Sequence, residues 1–85
     1  MPLFLIERQF AEELRLDASG AAAIKAVNAD VGVNWLFSFL SADRKKTYCL
    51  YEAPSADAIR KAARLNHIPA DLVIEVSRLQ PEAIV

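Results

Sequence analysis

Two residue types that often carry chemistry are nearly absent: the 85-residue chain holds one cysteine and one histidine. A single cysteine excludes an internal disulfide. One cysteine with one histidine also excludes a zinc finger or ribbon within one chain. No glycine-rich phosphate loop, Ser-His-Asp order or metal-binding helix motif is present. No apolar run approaches the ~18 residues of a membrane-spanning helix. The start, MPLFLIERQF, has no basic n-region and is broken by Glu7 and Arg8, so a signal peptide is not expected. The default expectation is a soluble, cytoplasmic protein in a reducing compartment, with no membrane partner. An excess of charge of either sign is also missing: ten basic residues stand against eleven acidic ones, for a net charge of −1. The basic knots DRKK (43–46) and RKAAR (60–64) read as a turn and a solvated helix face. Without a concentrated basic stripe, nucleic acid is not an expected partner.

What the chain has is apolar mass. It is 54% hydrophobic, yet a domain of this size buries only about 60–65% of its unfolded surface. The excess points to a second buried face, most simply in a homodimer. The chain reads as one domain over 1–85, with a tail at 80–85. LFLIERQ, 3–9, is the first strand candidate. Asp17 and Ser19 precede a helix over about 18–29, whose Ile24 and Val27 should face the core. VNWLFSFLS, 33–41, is a strand, ADRKK a polar hairpin, and TYCLYEA, 47–53, the next strand. Ser55 caps a helix over about 56–66. LVIEVSRL, 72–79, is the last strand. The order βαββαβ predicts an α+β, ferredoxin-like fold: an antiparallel sheet in order 4-1-3-2 with both helices on one face.

Side chains alternate across a strand, so each strand divides by parity. Taking the drier set each time gives a helix-side core of Phe4, Ile6, Trp35, Phe37, Phe39, Cys49, Tyr51, Leu72, Ile74 and Val76. Cys49 then falls among aromatics, where free cysteine behaves as a small hydrophobe. The opposite face would hold Leu3, Leu5, Leu36, Leu40, Leu50 and Val73, with Glu7, Ser38, Tyr48, Glu52, Glu75 and Ser77 among them. Such a face needs a cover, and a second copy stacked sheet to sheet would make a dimeric α/β barrel. Pairing of strand centres puts Glu7 beside Tyr48 and Glu52 beside Leu3, with Glu7 near Val73 or Glu75 on the last strand. Carboxylates in such a cleft must be protonated, paired or metal-bound; the alternative is a wet rim. Ligand-binding candidates are Glu7, Ser38, Tyr48, Glu52 and Glu75. Metal-ligand candidates are Glu7, Glu75 and His67, the last of which also reads as a helix C-terminal residue complementing the dipole.

FLIER, WLFSFLSADRKKTYCLYEAPSADAIRKAA and IPADLVIEV resemble the nickel-binding-protein-like family of small bacterial ferredoxin-like domains. The most specific part runs from Ser41-x-Asp43 through Tyr48, Cys49, Tyr51, Glu52, Ala53 and Pro54 to the second helix and Pro69. The resemblance implies a βαββαβ fold, a dimer and, for at least one relative, nickel binding. Glu7 and Glu52 match glutamates of the family, whereas His67 stands where relatives usually have glycine. Some relatives carry a histidine shortly after the first strand, where this chain reads ERQFAEEL; oxygen ligands would then dominate, and these favour harder ions. Three functions are weighed on these grounds. The leading one is a dimeric binding protein for a divalent, nickel-type metal or a small ligand on the open sheet face, the divalent metal being the candidate cofactor. The others are a small dimeric-barrel enzyme, of monooxygenase or isomerase type, with a glutamate as general base, and a purely structural oligomerisation module.

Overall fold

A computed structural model describes residues 1–83. The chain-order elements are β1 (Leu3–Gln9), α1 (Ala18–Asp30), β2 (Asn34–Leu40), β3 (Lys46–Glu52), α2 (Ala56–Asn66) and β4 (Leu72–Val76), followed by a 3-10 turn at Pro81–Ala83. Ile84 and Val85, part of the tail expected at 80–85, lie outside the described residues. The four strands form one antiparallel sheet in order β2-β3-β1-β4. This is the ferredoxin-like α+β arrangement expected from the element order. Among the described residues no helix is long and apolar enough to cross a membrane.

Local chemistry sets the element ends. Asp17 caps α1 by accepting from the Gly20 amide, and Ser55 caps α2 by accepting from the Ala58 amide, so each helix start has an orphan donor satisfied. The β2–β3 hairpin closes on Ser41 and Asp43. The Ser41 hydroxyl donates to the Asp43 carboxylate at 2.6 Å, and the Lys45 amide donates to the same oxygen at 3.0 Å. These two bonds hold the Asp43 carboxyl below its usual 3.8.

The core lies between sheet and helices: Phe4 and Ile6 of β1, Cys49 and Tyr51 of β3, Val33, Ala53, and Ile59 and Ala62 of α2. Cys49 is buried there as expected. Ile24 and Val27 of α1 are half-buried, and Asn28 beside them is fully buried.

Two strands depart from the parity reading. In β2, Trp35 pairs with Tyr51 but Phe37 with Leu50, so a bulge at Leu36 inserts an extra residue. A bulge reverses the faces beyond it. Phe37 and Phe39 therefore share a face with Leu50 and Tyr48, away from the helices, while Ser38 and Leu40 lie on the helix side of the sheet with Cys49 and Thr47. The Trp35 indole N–H donates to the Ser38 hydroxyl at 2.8 Å, closing the bulge. In β4, Leu72 pairs with Glu7, Ile74 with Leu5 and Val76 with Leu3. Leu72, Ile74 and Val76 thus lie on the open face, and Val73 and Glu75 lie on the helix side. Anchors before the strand set this register: the Asp71 amide donates to the Glu7 carbonyl at 3.0 Å, and the Asp71 carboxylate accepts from the Gln9 amide at 2.7 Å. Dryness could not choose the face of β4, because both faces of this sheet are apolar.

Candidate functional site

The open face has an apolar centre between two polar ends. Leu5, Leu50, Phe37 and Ile74 make the centre, and Phe39 and Leu72 flank Tyr48 and Glu7 in the next row. Phe39 is 65% exposed, Phe37 49% and Leu72 46%; the two phenylalanine rings meet edge to face with centroids 5.6 Å apart. At one end the Glu7 carboxylate pairs with the Lys46 ammonium at 3.0 Å. That carboxylate holds the ammonium above its usual 10.5, and the ammonium also lies 6.0 Å from the centre of the Tyr48 ring. At the other end the Asn34 amide donates to Glu52 at 3.1 Å.

Of the residues singled out from the sequence, Glu7, Tyr48 and Glu52 do share this face, with Glu7 opposite Tyr48 and Glu52 opposite Leu3. Glu75 does not join them. It pairs with Phe4 on the helix side of an edge strand and is exposed. Ser38 also leaves the face, because of the bulge. His67 is the exposed C-terminal cap of α2 in a left-handed conformation, φ 56°. Among the described residues no three His, Cys, Asp or Glu side chains lie together in a way that could hold a metal ion. The residues of a single chain therefore do not fit a closed metal centre: Glu7 is tied to a lysine, Glu52 to an amide, and His67 caps a helix.

A second concave site lies on the other side of the sheet. A cavity of about 260 Å³ is bounded by Trp35, Ser38, Leu40, Thr47, Cys49 and Tyr51 of the sheet, by Arg8, and by Ile24 and Ile68 from the helix layer. The segment between β1 and α1 closes it with Phe10, Leu14 and Leu16. That segment is pinned to the hairpin: the Phe10 amide donates to the Lys45 carbonyl and the Leu14 amide to the Arg44 carbonyl, each at 2.7 Å. Arg44 returns two bonds to the Leu14 carbonyl, at 3.2 and 3.1 Å.

Arg8 is the unusual group here. It is only 3% exposed. Its guanidinium donates to the Pro69 carbonyl and lies 5.8 Å from the centre of the Tyr51 ring. Among the described residues it has no carboxylate partner. Burial raises the Tyr51 phenol above its usual 10.0, with Arg8 acting against that shift. The site reading from sequence passed over Arg8, although its parity with Phe4 and Ile6 already placed it on the helix side.

A family model described as SCO4226-like, "Nickel responsive protein SCO4226-like", matches residues 4–76. Among solved structures, SCO4226 from Streptomyces coelicolor A3(2) superposes with a TM-score of 0.78 at 24% identity, covering 92% of this chain and 99% of that one. That is a likeness of fold. No curated protein matches the chain.

Proposed function

The chain belongs to the SCO4226-like family of nickel-responsive proteins, and from that premise we propose that it works as a self-associating binding protein without enzymatic activity of its own. Two copies stack open face to open face, and a divalent, nickel-type cation or a small ligand is held at the margin of the closed sheets. The observation that carries this reading is the apolar open face, with Phe37, Phe39, Leu72 and Ile74 all substantially exposed. Monomeric proteins rarely leave so apolar a sheet face in water, here from the Phe37 and Phe39 edge across Leu50 and Leu5 to the Leu72 and Ile74 edge. A two-fold axis across the strands would set the Glu7–Lys46 end of one copy over the Asn34–Glu52 end of the other, matching a cation to a carboxylate. A cation in this arrangement needs carboxylates from both copies, since one chain offers only isolated ones.

No observation favours the alternative enzyme with a glutamate base. The cavity on the helix side has no carboxylate in its lining.

The test is light scattering on the eluting protein combined with nickel titration calorimetry. The wild type should run as a dimer and Ile74→Glu as a folded monomer. Nickel should bind the wild type, with at least about tenfold weaker binding for Glu7→Gln. A strictly monomeric wild type overturns the reading. Dimerisation without nickel binding removes the metal and leaves the interface.

A further inference from the structure

Six polar side chains line the helix-side cavity: Arg8, Ser38, Arg44, Thr47, Cys49 and Tyr51. None is anionic, and two are cations. The Ser38 hydroxyl accepts from Trp35 and the Thr47 hydroxyl accepts from Cys49, so each O–H remains available to donate. The rest of the wall is apolar. Among the described residues the buried guanidinium of Arg8 has a backbone carbonyl and a ring face for company but not the counter-charge that buried cations ordinarily have. Its planar fork is matched by a carboxylate. The volume, about 260 Å³, lies just below the ~300 Å³ from which small-molecule sites usually start. It therefore calls for a compact guest.

We propose that this cavity binds a small organic carboxylate with an apolar body, such as a medium-chain fatty acid, its carboxylate paired with Arg8 and its chain among Ile24, Leu40 and Ile68. The site is separate from the open face and does not depend on dimerisation or on metal. Selectivity comes from the composition of the wall: Arg8 takes the carboxylate head, and the apolar side chains of the lining take the tail. The segment carrying Phe10, Leu14 and Leu16 covers the cavity, and Leu16, 42% exposed while also lining it, stands at the entrance.

Trp35 lines the cavity and is the chain's only tryptophan, so its emission reports occupancy. The experiment titrates full-length protein with octanoate, and separately with octanol, following Trp35 emission and the methyl NMR resonances. Octanoate should bind saturably and at least about tenfold more tightly than octanol. It should shift the methyls of Ile24, Leu40 and Ile68 and leave those of Leu72 and Ile74 in place. Arg8→Met should bring octanoate down to the affinity of octanol. Should that variant fail to fold, Leu16→Phe, which fills the entrance at an exposed position, should weaken both ligands. Equal affinity for octanoate and octanol, absence of saturable octanoate binding, or shifts confined to Leu72 and Ile74 would each overturn the proposal.

Discussion

Tyr51 joins the buried polar groups of the molecule. Its hydroxyl accepts from the Asn28 amide at 3.4 Å, and the Asn28 carbonyl oxygen accepts in turn from Asn66 at 3.2 Å. This chain of side chains ties α1, β3 and α2 together through groups that would each cost about 1–3 kcal/mol if left unpaired. Burial is the largest influence on the phenol and raises it above 10.0. The folded state thus prefers the neutral phenol. Its contribution is fully present below the unfolded-state value near 10 and is lost as pH rises through the higher folded value. The urea midpoint of the wild type should fall between about pH 9 and about pH 11. Tyr51→Phe should start lower, because Asn28 loses its acceptor, by about 1 kcal/mol, and should fall less over the same interval. Parallel curves for the two proteins would show that Tyr51 does not titrate as its burial requires.

At the scale of elements, α2 is the best-determined unit. Ser55 caps its start, Ile59, Ala62 and Ala63 bury its inner face, and Arg64 lies in its last turn. Its end is less favourable, since His67 adopts the left-handed conformation that only glycine takes without strain. His67→Gly should therefore stabilise the protein by about 1 kcal/mol in urea denaturation, with helix content unchanged. A loss of stability would mean that the imidazole makes a contact worth more than the strain. Strand β2 shows the opposite relation of sequence to shape. Its alternation was plain, but a bulge at Leu36 interrupts it. That one extra residue moves two phenylalanines from the expected core to the surface and two polar-to-apolar positions, Ser38 and Leu40, into the cavity wall.

For the molecule as a whole, both departures act in the same direction. The bulge in β2 and the register of β4 deliver Phe37, Phe39, Leu72, Ile74 and Val76 to the open face, making it greasier than the parity reading had it. A protein stabilised by covering that face with a second copy has a concentration-dependent Tm. A roughly hundredfold rise in protein concentration should raise the Tm of the wild type by roughly 5–10 °C, as read by calorimetry. Ile74→Glu should show no such dependence. A wild-type Tm independent of concentration would remove the second copy from the account of stability.

The sequence by itself determined the order and type of the elements. Periodicity, caps and turn residues act over a few neighbours, so Asp17, Ser55 and the DRKK hairpin announced their roles directly. Aligning the centres of β1 and β3 also put Glu7 beside Tyr48 and Glu52 beside Leu3, as the structure has them, but alternation alone would equally have allowed a shift by two residues. Only the tertiary structure decided which way β4 and the second half of β2 face. On a sheet apolar on both faces, a strand's drier set does not encode which face it takes; distant contacts do, here Asp71 with Gln9 and Glu7, and Trp35 with Ser38. The same holds for the sites. The carboxylates stood out in the sequence by type, yet Glu75 parts from Glu7 across the sheet. Arg8 acquires its meaning only where Pro69 and Tyr51 meet its guanidinium and the segment from Phe10 to Leu16 covers the cavity it lines.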